Sequence, residues 1–105
     1  MITLTNYESG ELLISGGSGQ ETRLTRDQAN RLIMMARMHT IAEFIEKIPS
    51  LIASELLAKS ILSVFEEKNS TERWNLKEKF ARLGTLTKGY TPKDPEAVAE
   101  VIRLN

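Results

Sequence analysis

The pattern of apolar and polar positions at the beginning of the chain is typical of β-structure. Residues 2–7 (ITLTNY) alternate with a period of two and are rich in strand-favouring residue types. Residues 8–11 (ESGE) predict a turn, and residues 12–15 (LLIS) predict a second strand. Residues 21–25 (ETRLT) can add a short third strand. We therefore expect an N-terminal β-hairpin with room for one more strand.

The period then changes to that of an amphipathic helix, which we predict over residues 26–48. Thr25 and Gln28 have the spacing of a capping box at its start. Pro49 should end or kink this helix, because proline lacks the amide donor and clashes with the preceding turn. On a helical wheel, nine residues form one broad apolar arc. They are Ile33, Met34, Met35, Met38, Ile41, Ala42, Phe44, Ile45 and Ile48.

Three further helices follow from the same reasoning. The second should run over residues 51–68, and the third over residues 72–83, where Gly84 stops it. The stripe of Leu76, Phe80 and Leu83 should bury the third helix. A last short helix is expected to begin at Asp94, with Pro95 in its first position, and to be docked by three apolar residues. They are Val98, Val101 and Ile102.

Together these elements predict a single domain of the α+β class, mainly α. A β-hairpin region (1–24) precedes a helical region (25–105). The length of 105 residues is enough for one hydrophobic core, and 41% hydrophobic with 27% charged residues is an ordinary globular composition. There is no cysteine, which excludes disulfides and thiolate metal sites. Without a long apolar run or a basic–apolar leader, we expect a cytoplasmic protein that does not span a membrane.

The glycines of "SGGSGQE" (15–21) raise the question of a phosphate-binding loop, because they stand between a strand and a helix start. A Walker A loop needs a lysine after its last glycine, but Gly19 is followed by Gln20 and Glu21. A dinucleotide fingerprint needs a third glycine where Thr22 stands, and it must open directly into a helix. The spacing therefore predicts a flexible turn and no cofactor, a mobile joint between hairpin and helices.

The sequence offers few side chains suited to metal binding or catalysis. His39 is the only histidine, and Glu43 lies one helical turn after it. Two ligands do not complete a zinc site, so we predict an exposed His–Glu pair instead. No serine lies in a nucleophile motif. We expect no catalytic residues, no metal and no enzymatic activity.

The segment 73–93 is strongly basic in a chain of zero net charge. It contains six cations against one anion, Glu78, and three aromatic residues. Cations that meet phosphates, interleaved with rings that stack on bases, suit nucleic-acid binding. The residues for this alternative function are Arg73, Lys77, Arg82 and Lys88. Against it stand the neutral overall charge and the place of Phe80 in the core stripe.

Methionines crowd one turn of the longest predicted helix, and methionine adapts readily to the surface of a partner. The apolar arc is wide for a small monomer to cover, so either the hairpin or a second molecule must cover part of it. We therefore expect a small regulatory or adaptor protein that binds a protein partner or a second copy of itself. The contact residues for this function are Met34, Arg37, Met38, Ile41 and Ile45.

Overall fold

A computed structural model of the protein describes residues 1–16, 19–84 and 89–104. Within these described ranges, eight elements follow one another. They are β1 (Ile2–Tyr7), β2 (Leu12–Ser15), β3 (Glu21–Leu24), α1 (Arg26–Met38), α2 (Ile41–Leu51), α3 (Glu55–Glu66), α4 (Ser70–Ala81) and β4 (Val98–Leu104). The predicted α+β class with N-terminal strands and a mainly helical remainder is confirmed.

The strands form one antiparallel sheet in the order β3-β2-β1-β4. Burial alternates along β1 and β2, so one face of the sheet packs against the helices. This inner face carries Leu4 and Ile14, both fully buried, while Thr5 and Leu13 point to the opposite, outer face. The predicted hairpin is confirmed, and so is the short third strand.

The predicted C-terminal helix is wrong. Residues 98–104 form β4 instead, which pairs antiparallel with β1 in a register that places Ile102 opposite Leu4. Asp94, Pro95 and Glu96 resemble a helix start, but they precede a strand. The β-branched residues of β4 prefer extended backbone, and the open edge of β1 supplies the hydrogen bonds that an isolated short helix would lack.

The predicted single helix over 26–48 is also wrong, because the chain breaks it at His39 and Thr40. The predicted capping box of Thr25 and Gln28 begins α1, and a second cap begins α2. Thr40 accepts a hydrogen bond from the Glu43 amide at 3.3 Å and donates one to the Glu43 carboxylate at 2.9 Å. The Thr-x-x-Glu spacing is itself a helix-start signal. The prediction missed this signal because apolar residues continue at helical spacing on both sides of Thr40.

Replacing Thr40 by alanine should lower the free energy of unfolding by about 1 kcal/mol, the usual cost of losing an N-cap. The hydrogen bonds from Thr40 and His39 hold the pKa of Glu43 below its usual value. We therefore expect Thr40→Ala to raise that pKa. A carboxyl group with a depressed pKa stabilises the fold above its unfolded pKa, and this contribution disappears as the pH falls through the folded pKa. The difference between wild type and variant should therefore shrink in acid.

Urea unfolding at neutral and acid pH, with an NMR titration of Glu43, measures both effects. Thr40→Ser is the matched control, since it keeps the hydroxyl and should preserve most of the cap. An unchanged Glu43 pKa in Thr40→Ala would contradict the assigned cause.

The remaining helices differ from prediction mainly at their ends. The helix predicted over 51–68 is α3, whose N-cap is Ser54, and the one predicted over 72–83 is α4, capped by Asn69. Pro49 neither ends nor interrupts the preceding helix, since α2 continues to Leu51. A proline so close to the C-terminus removes only one of the last hydrogen bonds.

The core lies between the helices and the inner face of the sheet. Its centre is a cluster of three fully buried rings, in which Phe44 lies 6.1 Å from Phe65 and 5.4 Å from Phe80 between ring centroids. Phe44 meets both rings edge-on, a favourable geometry for aromatic pairs. The predicted stripe of Leu76, Phe80 and Leu83 is confirmed, because all three are buried.

The glycine group connects two strands of the same sheet. Gly16 donates a backbone hydrogen bond to Gln20 at 2.7 Å, and Gly19 has a φ of +79°. Gly17 and Ser18, on which the flexible-turn prediction also rests, lie outside the described residues. Because β3 follows the glycines, the group is a connection from β2 to β3, and the prediction of a joint between hairpin and helices is wrong.

Candidate functional site

The residues predicted to form a Met-rich contact face have different environments. Met38 is 72% exposed and Arg37 is also exposed, whereas Met34, Ile41 and Ile45 are half-buried. Ile45 packs against the core. The face is therefore only partly available to a partner.

The break at residues 39 and 40 explains this distribution. A helical wheel drawn for one continuous helix assumes that α1 and α2 share the same rotation about a common axis. In the structure, each helix packs its own set of apolar residues against the core. In α1 that set is a stripe of Ala29, Leu32, Ile33 and Ala36. At 3.6 residues per turn, Met34 and Met38 lie on the side of α1 opposite this stripe, so the single apolar arc does not persist across the two helices.

Arg37 has a structural contact within the chain. Its Nε donates to the backbone carbonyl of Ala81 at 3.0 Å, at the end of α4. Cationic side chains near a helix C-terminus satisfy its free carbonyls and favour its dipole. This contact ties α1 to α4.

The basic residues of the nucleic-acid alternative are also dispersed. Arg73 Nε donates to the Phe65 carbonyl at 2.8 Å at the end of α3, and Lys77 is buried. Arg82 is exposed just after α4. Lys88 lies outside the described residues. Those that can be placed do not form one exposed row along α4.

His39 and Glu43 form the exposed pair that their spacing predicts. His39 Nδ1 lies 3.0 Å from a Glu43 carboxylate oxygen, across the junction between α1 and α2. Within the described parts of the chain, no group of three or more histidine, cysteine, aspartate or glutamate side chains is placed to hold a metal ion.

The edge of the sheet at β4 is a surface that the sequence prediction missed. Tyr7 N donates to Glu11 on the β2 side, and Glu8 N donates to Ala97 on the β4 side. Backbone direction alternates along a strand, so the even residues of β1 face β4. Their partners in β4 are even-numbered too, as in the pair Leu4–Ile102.

The odd-numbered residues Val101 and Arg103 therefore direct their backbone groups away from β1, along the free edge. Consistent with this direction, Lys79 Nζ reaches from α4 to donate to the Arg103 carbonyl at 3.3 Å. A lysine at a strand edge is a common protection against unwanted strand pairing. The amide and carbonyl of Val101 remain directed outward.

Exposed apolar side chains accompany this edge. Val98 is 52% exposed and Val101 is 48% exposed. On the outer face of the sheet, Val101 and Leu13 flank Thr5 in one cross-strand row. The β-branched residues Val98, Val101 and Ile102 were the available signal for β4. We predicted a helix there because Asp94 and Pro95 resemble a helix N-terminus.

An arginine clamp covers the other end of the outer face. Arg23 Nε lies 2.6 Å from the Glu11 carboxylate, its Nη2 lies 2.9 Å from that of Glu96, and its guanidinium stacks 4.6 Å from the centre of the Tyr7 ring. The clamp connects β3 to the segment before β4 and leaves the Val101 end of the face open.

Comparisons with known proteins add no assignment to this geometry. No family model, no curated protein and no solved structure matches the chain. In the parts of the chain that the structure describes, no helix has the length and apolar character needed to cross a membrane.

Proposed function

We propose that the protein is a non-enzymatic interaction module of the cytoplasm that associates with a second copy of itself through the free edge of β4. The observation that carries this proposal is the edge itself, with two exposed valines and outward backbone groups at Val101 and Arg103. Unpaired strand edges are templates for pairing with another chain, by β-augmentation.

The opposite edge of the sheet is less suited to pairing. β3 has four residues, two of which, Glu21 and Arg23, are charged, and short charged edges resist strand addition. Strand β4 has seven residues. The asymmetry between the two edges favours a closed pair of chains over an open chain of sheets.

The two outward residues suit a two-fold axis. If two copies of β4 run antiparallel with Ile102 on the axis, Val101 of each copy lies opposite Arg103 of the other, and both pairs can exchange backbone hydrogen bonds. The half-buried Ile102 side chains then meet at the axis, on the helix side of the sheet. Each Val101 packs beside the aliphatic stem of an arginine.

Charge complementarity supports the same register. Glu100 lies on the helix side of β4, since its partner in β1 is the buried Asn6. In the paired arrangement, Glu100 of the second copy stands opposite Leu104, next to the carbonyl that Lys79 occupies in the monomer. Lys79 can then leave the Arg103 carbonyl and bind the Glu100 carboxylate of the second copy. The Val101 amide of the second copy can donate to the Arg103 carbonyl in its place.

Light scattering over a range of protein concentrations tests this proposal. Wild type should form a concentration-dependent dimer, of the weak class because the paired surface is small. Val101→Lys should be monomeric, since it places a charge on the edge. Thr5→Lys is the matched control, because it alters the same cross-strand row away from the edge and should still dimerise. A wild-type protein that stays monomeric at every concentration contradicts the proposal.

A second candidate surface is the exposed end of α1. Met38 is more exposed than any other large apolar side chain among the described residues, so Met38→Glu belongs in the same experiment. If Met38→Glu is monomeric while Val101→Lys still dimerises, the dimer forms through the Met-rich face and not through the β4 edge. Loss of the dimer in both Thr5→Lys and Val101→Lys would indicate stacking of two sheet faces.

The nucleic-acid alternative has less support from the contacts. Arg73 is held by carbonyl groups of α3, and the Lys77 side chain is buried, so these two cations are poorly placed to meet phosphates. An interaction through the β4 edge uses the amide and carbonyl of Val101, which point away from β1.

A further inference from the structure

A cavity of about 240 Å³ lies where the end of β1, helix α1 and the segment leading to β4 meet. Polar groups surround it on several sides. Its lining includes the polar residues Asn6, Glu8, Asn30 and Tyr90 and the apolar residue Ile33. It is distinct from both surfaces considered for association.

Asn6 is the most unusual member of this lining. It is 6% exposed, on the inner face of β1, where its neighbours Leu4 and Ile2 belong to the hydrophobic core. The register of β1 and β4 shifts at this point, with Ala99 as the extra residue. Bulges of this kind often re-aim side chains beside binding sites. The Asn6 carboxamide packs against Gly84, where an added Cβ would lie 2.8 Å from Asn6 Nδ2.

The wall that carries Tyr90 is fixed by a chain of contacts. Arg26 donates from Nη1 to the Tyr90 carbonyl at 2.8 Å, which holds this residue beside the start of α1. The stem of Arg26 passes so close to Gly10 that a Cβ there would lie 2.6 Å from the Arg26 Cγ. Gly10 therefore gives Arg26 the room to reach Tyr90, whose side chain is half-exposed.

We propose that this cavity binds a small, uncharged planar heterocycle or aromatic amide that carries a hydrogen-bond donor and an acceptor side by side. A carboxamide presents one of each, so Asn6 and Asn30 match such an edge. The Tyr90 ring offers a surface for stacking. Glu8 in the lining adds negative charge, which favours a neutral ligand over an anionic one.

The volume limits the ligand further. Pockets for drug-sized molecules usually measure about 300–1,000 Å³, so this cavity suits a single-ring or nucleobase-sized compound. Such a small ligand makes few contacts, and we expect binding in the high-micromolar to millimolar range.

NMR titration of the isotope-labelled full chain with adenine and with nicotinamide tests the proposal. Both probes should shift the side-chain amide signals of Asn6 and Asn30 and the backbone amides of Gly10 and Gly84. Nicotinate is the matched ligand control, because it replaces the carboxamide of nicotinamide with a carboxylate at nearly the same size. It should bind at least tenfold more weakly than nicotinamide.

The variant Asn30→Ala should weaken nicotinamide binding about tenfold, since it removes one donor–acceptor pair. Alanine is the best helix former, so α1 should remain intact. Asn75→Ala is the matched control, because Asn75 is an exposed residue of α4 away from the cavity. It should bind like wild type.

Three results would overturn the proposal. One is the absence of shifts at the cavity with both probes at millimolar concentration. Another is equal affinity for nicotinamide and nicotinate, which would remove the role assigned to the carboxamides. The third is unchanged nicotinamide affinity in Asn30→Ala. None of these results depends on whether the protein dimerises.

Discussion

Phe44→Ala is expected to lower the free energy of unfolding by about 3–5 kcal/mol, the range measured for truncating a buried phenylalanine. Phe44 is fully buried and contacts both other rings of the aromatic cluster, Phe65 and Phe80. Its removal therefore loses the burial of one ring and two edge-on aromatic pairs, and leaves a cavity. Such a loss is a large fraction of the stability of a small domain.

Urea unfolding followed by circular dichroism measures this effect. Trp74→Ala is a suitable control, since it also truncates an aromatic side chain in a helix, but one that is half-exposed. We expect that control to cost well under 2 kcal/mol. Similar losses for Phe44→Ala and Trp74→Ala would mean that the ring cluster is not the centre of the core.

The local features of this fold were predictable from sequence because they depend on residues close together in the chain. The capping box of Thr25 and Gln28 and the stripe of Leu76, Phe80 and Leu83 follow directly from spacing. The alternation in residues 2–7 likewise identifies β1. In each case the residues that allow the prediction are the same residues that form the structural feature.

The features that prediction missed depend on partners far along the chain. β4 forms because β1, more than ninety positions earlier, offers an open edge to which Val101 and Ile102 can pair. Periodicity within a short segment does not contain that information. The break at Thr40 is a different case, because its Thr-x-x-Glu signal is local but lies inside an uninterrupted apolar period.

The candidate sites show the same division. Met38 was identified from its position on a wheel, and it is exposed, but the wheel could not show that Ile45 faces the core. The free edge at Val101 is defined by sheet order, which sequence reasoning did not provide. The cavity beside Asn6 requires four separate segments to converge, so only the folded chain reveals it.

Gly84→Ala should be the second strongly destabilising change, by about 2–4 kcal/mol. Gly84 has a φ of +65°, a conformation that costs alanine about 1–2 kcal/mol. In addition, a Cβ at this position would lie 2.8 Å from Asn6 Nδ2. Asn6 is buried at this contact, so the backbone or the carboxamide must move.

Gly89→Ala separates the two causes, because Gly89 also has a positive φ, +74°, but no described atom lies within 4 Å of its added Cβ. We expect it to lose only the backbone contribution, about 1–2 kcal/mol. Thermal unfolding of both variants gives the comparison, and the Asn6 side-chain amide signal reports directly on contact. Equal losses in the two variants would show that Asn6 yields without cost. A greater loss in Gly84→Ala with a displaced Asn6 signal would show that close packing at Gly84 holds the carboxamide at the cavity wall.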